Sequence, residues 1–271
     1  VLKNRLIPCI LLKGETVVQS FGFKSYLPIG KIDAAIEFFV DWDVDEIIIL
    51  DMAATSEKRS FSSEIIKKAT RKCFIPLCVG GGIKSLDDIS RALDSGADKV
   101  SINSSSFRDP SLISKAADKY GSQCVTISID AKRMPFGNYH VFVNGGKVDT
   151  NMAPNVWAKR VEKLGAGEIF LTSIDNDGRR SGYDLELLNS VTSEVSIPVI
   201  ASGGVGHPEH FLDGIIKGNC QAVAAANIFQ HTELSTIAAK SYLDRKKLPI
   251  RLSSKVNYSN FVFDSMMGRP V

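Results

Sequence analysis

An α/β barrel, (β/α)8 TIM in type and built from two duplicated half-barrels, is the fold this sequence predicts, and three observations predict it. The first is an internal repeat: FIPLCVGGGIKSLDDISRALDSGADKVSINSSSF, Phe74–Phe107, lies ungapped over SIPVIASGGVGHPEHFLDGIIKGNCQAVAAANIF, Ser196–Phe229, at an offset of 122. Ile75/Ile197, Pro76/Pro198, Gly81/Gly203, Gly82/Gly204 and Gly96/Gly218 coincide, and the same offset pairs Glu46-Ile47 with Glu168-Ile169. The second is eight short apolar runs separated by helical patterns, which implies a parallel sheet. The third is that these runs divide four and four between the halves. An open doubly wound sheet competes, but it does not naturally give a twofold repeat.

In chain order the strands fall at 5–12, 46–52, 75–80, 99–103, 124–130, 168–173, 197–202 and 220–226. Each is short and mostly apolar, too short for a helix. Between them Asp87–Asp94 and Asn155–Leu164 have helical periodicity, and Gly96 and Gly165 stop those helices. One barrel over 1–252 is expected, with 253–271 as a C-terminal extension. Its NYSNFVFDSMMGRP stretch has the aromatic and Met content to dock a partner; a plain tail is the alternative.

Composition excludes several classes. The chain has 271 residues, 44% apolar and 23% charged, with a net charge of +3. That is ordinary globular composition, without the basic run that nucleic acid or a membrane surface would call for. Cys9, Cys73, Cys78, Cys124 and Cys220 are scattered, with no CxxC pair, which suits reduced thiols rather than a metal site. No signal peptide or apolar span is visible. A soluble cytoplasmic protein without metal or cofactor is expected.

In such a barrel the working face lies at the carboxyl ends of the strands. There the third strand runs into Gly81-Gly82 and the seventh into Gly203-Gly204. The fourth ends at Asn103-Ser104, and the eighth at Ala226-Asn227. Glycines there let backbone N–H groups approach an anion, and a following helix adds its dipole. Duplication predicts two phosphate cradles on opposite sides of one mouth, suited to a ligand phosphorylated at both ends. Asp177-Gly178 after the sixth strand reads as another mouth loop. The plain alternative is that these residues only build tight turns.

Read together, "IPC" at 7–9, "FIPLCVGGGIKS", "GADKVSIN", "GSQCVTISIDAKR", Lys163–Ser173, "GYDLEL" and "IPVIASGGVG" resemble the cyclase subunit of imidazole glycerol phosphate synthase across residues 2–252. The resemblance implies a duplicated barrel that takes ammonia from a partner glutaminase of the HisH kind. It also implies a bis-phosphorylated ribosyl substrate held at two phosphate sites. The family pattern carries an aspartate at the ends of both the first and fifth strands, as general acid and base. Asp130, in "IDAK", matches; Leu11, in "IPCILLK", does not. Gln19 stands where the family has lysine, and Arg179 where threonine is usual. A leucine transfers no proton, and positioned acid–base groups typically contribute about 10²- to 10⁴-fold in rate. Normal cyclase chemistry is therefore expected to be impaired. Glu15 lies beyond the strand and is a weak substitute.

At the opposite end Arg5, Glu46, Lys99 and Glu168 open four strands, two charges of each sign. Sequence alone reads them as a salt-bridge plug. The resemblance makes them an ammonia gate, with Thr172 near the channel and Asp98 at the glutaminase interface. "IPCILLK" further resembles cyclase-like paralogues associated with surface-polysaccharide genes. With a glutaminase partner, these are thought to feed an ATP-dependent amidotransferase that converts an acetamido sugar group to acetamidino. Three readings follow: an ammonia-channelling subunit with impaired cyclase chemistry, an authentic cyclase of histidine biosynthesis, and a non-catalytic glutaminase activator. A sugar isomerase of similar fold would need acid–base residues on both strands.

Overall fold

The computed structural model describes residues 3–72, 74–230, 235–264, 268 and 270. Eight parallel strands close a barrel: β1 (Arg5–Lys13), β4 (Ile47–Asp51), β5 (Leu77–Gly80), β6 (Lys99–Ile102), β7 (Val125–Arg133), β10 (Glu168–Ser173), β11 (Val199–Ser202) and β12 (Ala222–Ala225). β12 returns to pair with β1, Arg5 opposite Ala222, and β7 pairs with β10, so no barrel edge is left open.

Period-two alternation sorts the side chains. Leu6, Ile10 and Leu12 of β1 face outward, packing with Ile32, Ile36 and Phe39 of α1 (Ile32–Asp41) in the shell between strands and helices. Ile7, Cys9 and Leu11 face inward and meet Ile48, Cys78, Phe170, Ile200, Ala222 and Ala224. The repeat persists in the hydrogen bonds: Ile47 N–H donates to Pro76 O at 2.9 Å, and Ile169 N–H to Pro198 O at 2.9 Å.

The expected strands are all present, with shifted ends. β5 and β11 begin after Pro76 and Pro198, which have no N–H to donate to a ladder. Helices α2 (Ser63–Lys72), α3 (Leu86–Asp94), α4 (Ser104–Arg108), α5 (Ser111–Tyr120), α6 (Pro154–Lys163), α7 (Leu185–Thr192) and α8 (Glu209–Ile216) run between the strands, and α3 and α6 are the two expected. β1 and β7 run longer than expected because each continues into an antiparallel hairpin. β2 (Thr16–Phe21) and β3 (Ser25–Lys31) follow β1; β8 (Tyr139–Val143) and β9 (Val148–Asp149) follow β7. The duplication thus includes a hairpin in each half.

Cys9, Cys78 and Cys220 are buried, Cys124 is half-buried, and all four are free; Cys73 lies outside the described residues. No helix among the described residues is long and apolar enough to cross a membrane. After α9 (Thr236–Arg245) the chain returns to the barrel's amino end, where Asn4 N–H donates to Pro249 O at 2.8 Å and Asn4 bridges Ile250. Residues 253–264 then pack back against α9; Met266 and Met267 lie outside the described residues.

Candidate functional site

Leu11 and Asp130 sit four strands apart in an eight-strand ring, which places them on opposite walls of a cavity of about 500 Å³ at the mouth. The hairpins build its rim: the first supplies Phe23, Lys24 and Tyr26, the second Asn144, Gly145 and Lys147.

The Asp130 wall is polar. Asp130 Oδ2 accepts from Asn103 Nδ2 at 3.0 Å, and the same amide donates to Ser128 O at 3.2 Å. Burial pushes the Asp130 carboxyl up to about 7; the Asn103 bond opposes that rise and the Asp177 charge adds to it. Asp177 is itself raised by burial, against bonds from the Ser20 hydroxyl at 2.6 Å and the N–H groups of Phe23 and Gly22. Ser20 and Phe23 belong to the first hairpin, so that hairpin is pinned to the β10 loop. Asn227 strengthens the tie by donating to Ser20 O at 2.8 Å.

The Leu11 wall is apolar. Leu11 is buried in a cluster with Val18, Leu50, Met52 and Tyr26, drawn from β1, the first hairpin and the β4 end. Gln19 is buried opposite Leu27 within the hairpin, and Arg179 is exposed. Glu15 is exposed and pairs with Lys68 at 3.6 Å, outside the cavity, so it does not take the place of the missing carboxylate.

Every sequence-predicted mouth residue reaches this end. Gly81, Asn103, Ser104, Asp177, Gly178, Gly203, Gly204, Ala226 and Asn227 line the main cavity. Gly82 lines an adjoining one of about 330 Å³, with Lys58, Arg59, Lys84 and Arg108. The paired glycines meet a strict backbone demand. Gly81 has φ +98°, and a Cβ there would lie 2.3 Å from Asp51 O; Gly204 has φ +107°, with a Cβ 2.1 Å from Gly182 O. The turns alone require glycine at these two positions, with or without an anion.

Sequence reasoning missed the ion pair that holds the β4 loop. Asp51 receives Arg59 through two bonds, 2.5 and 3.0 Å, and accepts from Ala53 and Ala54 N–H. It also missed Tyr26. No spacing motif marks either.

At the floor the four predicted charges close a ring. Arg5 bonds Glu46 at 2.6 Å and Glu168 at 2.5 Å; Lys99 bonds the same two carboxylates at 2.9 and 2.8 Å. Burial pulls Arg5 and Lys99 downward, but the glutamates outweigh it and hold both above their ordinary values. Asp98 is exposed beside the ring, its carboxylate accepting from Leu77 N–H at 2.8 Å. Thr172 faces inward on β10, in register with Asp130, and lines the mouth cavity. Between ring and mouth the lining is Ile7, Ile48, Phe170 and Ile200 with Cys78 and small alanines, joined by the buried polar side chains of Ser101, Thr126 and Ser128. Ser101 Oγ is buried there with no hydrogen-bond partner among the described residues. The described residues contain no group of three or more His, Cys, Asp or Glu suited to a metal ion.

Comparison with known proteins agrees with this geometry. The histidine biosynthesis protein family matches residues 5–235. A Vibrio vulnificus protein, provisionally named imidazole glycerol phosphate synthase subunit hisF2, is 53% identical over 99% of this chain and 98% of its own. Imidazole glycerol phosphate synthase subunit HisF of Clostridium botulinum (strain Okra / Type B1) is 45% identical over 93% of this chain and all of its own; HisF of Hydrogenobaculum sp. is 44% identical over the same shares. By fold, site and relatives the chain belongs to the histidine biosynthesis protein family, among the HisF-like cyclase subunits of imidazole glycerol phosphate synthase.

Proposed function

We propose that this barrel takes ammonia in at its floor and delivers it at its mouth, without ordinary cyclase chemistry. One contrast carries the reading: the floor ring is complete, while the wall facing Asp130 is an apolar cluster around Leu11. Ammonia has to stay uncharged and undiluted to reach an acceptor, and a largely apolar interior disfavours the ammonium form. A HisH-like glutaminase docked over Arg5, Lys99 and Asp98 supplies it. The acceptor is an acetamido sugar in surface-polysaccharide synthesis, amidinated by an ATP-dependent amidotransferase, and the two cradles hold a phosphorylated small molecule. The chain then works as a cytoplasmic subunit.

The second reading, an authentic cyclase of histidine biosynthesis, draws on Asp130: a carboxyl raised to about 7 can donate or accept a proton near neutrality. It still lacks the second carboxylate. Under the third, a glutaminase activator that transmits nothing, the inward-facing channel would be idle.

Isotope competition separates these. The chain, its glutaminase and the sugar amidotransferase receive amide-15N glutamine in excess unlabelled ammonium. Label retained in the amidine is the expected result. Label diluted to the bulk ratio would overturn channelling.

A further inference from the structure

Beside the floor ring lies a second cluster of charges that the proposed conduit does not use. Lys240, on α9, is wholly buried, its Nζ 2.8 Å from Asp45 Oδ1 and 3.3 Å from Asp43 Oδ2. A buried ammonium persists only with counter-charge, and both aspartates come from the turn between α1 and β4. The other Asp45 oxygen accepts Leu6 N–H at 2.9 Å. Leu6 follows Arg5, and Asp45 precedes Glu46. One carboxylate therefore ties together the starts of the two strands that carry half of the ring.

Asp43 is the outer member, and residues beyond the barrel cover it. Its Oδ2 accepts the Tyr258 hydroxyl and, at 3.3 Å, Ser253 N–H. The covering segment is fastened along α9: Ser241 Oγ donates to Tyr258 O at 2.5 Å, Arg245 donates to Phe261 O, and Phe263 meets the Tyr242 ring edge-on at 5.5 Å. The hisF2 relative matches 99% of the chain and so spans most of this segment; the HisF relatives leave unmatched about as many residues as 253–271 holds.

We propose that residues 253–264 are a strap that positions the floor ring, with Tyr258 and Asp43 as its positioning residues. Tyr258 keeps Asp43 turned onto Lys240, and Lys240 keeps Asp45 on Leu6. Arg5 and Glu46 then enter the barrel at the heights that let each meet its partners. Without the Tyr258 hydroxyl, Asp43 turns to water, water reaches the Lys240 ammonium, and the hold on Leu6 loosens. The consequence for ammonia entry rests on the conduit reading; the positioning itself does not.

The test uses the full chain with Tyr258→Phe, which removes one hydroxyl, and separately Asp43→Asn, which removes the charge. Amide hydrogen exchange is read at Leu6 and Asp45, whose N–H groups face each other's oxygens, against Val223 and Ile129 elsewhere in the barrel. The side-chain ammonium NMR signal of Lys99 is followed in parallel. In both variants exchange at Leu6 and Asp45 should rise about tenfold relative to the reference strands, the size expected for losing a hydrogen bond to a charged group. The Lys99 signal should broaden. Unchanged exchange at Leu6, or an equal rise at all four positions, would overturn the proposal by reducing the strap to a surface clamp. With a HisH-like glutaminase docked, the variants should also release more free ammonia. If exchange changes selectively while ammonia release does not, the strap stands and the conduit reading falls.

Discussion

Leu11 and Asp130 face each other across the mouth, one inside a hydrocarbon cluster and the other held by Asn103. The apolar wall extends beyond one substitution, because Leu11 packs with side chains from β1, the first hairpin and the end of β4. A carboxylate introduced by Leu11→Asp would be buried among Val18, Leu50 and Met52, with the Tyr26 hydroxyl of the same cluster already donating to Phe23 O at 3.3 Å. That variant should lose about 2–4 kcal/mol of stability in urea unfolding at pH 8, from lost packing and an unpaired charge. It should also fail to gain cyclase turnover. A variant as stable as the parent and active would show that the wall tolerates the acid. Asp130 makes a pH prediction. Its folded-state value, about 7, lies above the ordinary carboxylate range, so its protonated form favours folding. That contribution is fully present below about pH 4 and is lost as pH rises through 7, by roughly 4 kcal/mol in all. Asp130→Asn should flatten the fall in stability between pH 4 and 7, measured by chemical unfolding at a series of pH values. Parallel curves for the two proteins would contradict the burial argument.

At the scale of elements, the barrel strands were legible because burial on both faces leaves near-continuous apolar runs. Duplication then supplied the topology. The hairpins were not legible. Gly14-Glu15 between ILLK and TVVQSF does mark a turn, but β3 is mostly exposed and shows little alternation. Their importance, pinning Asp177 and Asn227 over the mouth, arises from contacts between positions more than 150 residues apart. The Asp51–Arg59 pair was invisible for a related reason: its spacing has no motif, and its meaning comes from the two N–H groups it also holds. The glycine turns were found but underdetermined, since backbone geometry and anion binding ask for the same residue. Two substitutions separate tolerant from intolerant turns. Gly81→Ala should cost about 3 kcal/mol or more, because φ is positive and the new Cβ meets Asp51 O. Gly145→Ala, also at positive φ but with nothing within 4 Å, should cost only about 1 kcal/mol. Equal losses in urea unfolding would mean that close packing at Gly81 is not what limits the turn.

Across the whole molecule the two ends of the barrel differ: one is a closed ring of charges, the other a cavity with one polar and one apolar wall. The floor ring joins residues 5, 46, 99 and 168 in four charge-assisted bonds, and its positions follow from the strand starts alone. The mouth keeps both glycine-paired turns and one of the two carboxylates that the resemblance implies. The strap lay beyond sequence reading, since residues 43, 45, 240 and 258 share no pattern. The central claim, a conduit without ordinary cyclase chemistry, meets its most direct test in one assay. Cyclase turnover is measured on the purified chain with the bis-phosphorylated imidazole precursor and saturating ammonium salt, with no glutaminase present. Turnover below about 10⁻² s⁻¹, which is 10²-fold under the lower end of the roughly 1–10³ s⁻¹ of ordinary enzymes, is the predicted result. Turnover within that range would contradict the account and make the barrel a working cyclase despite Leu11.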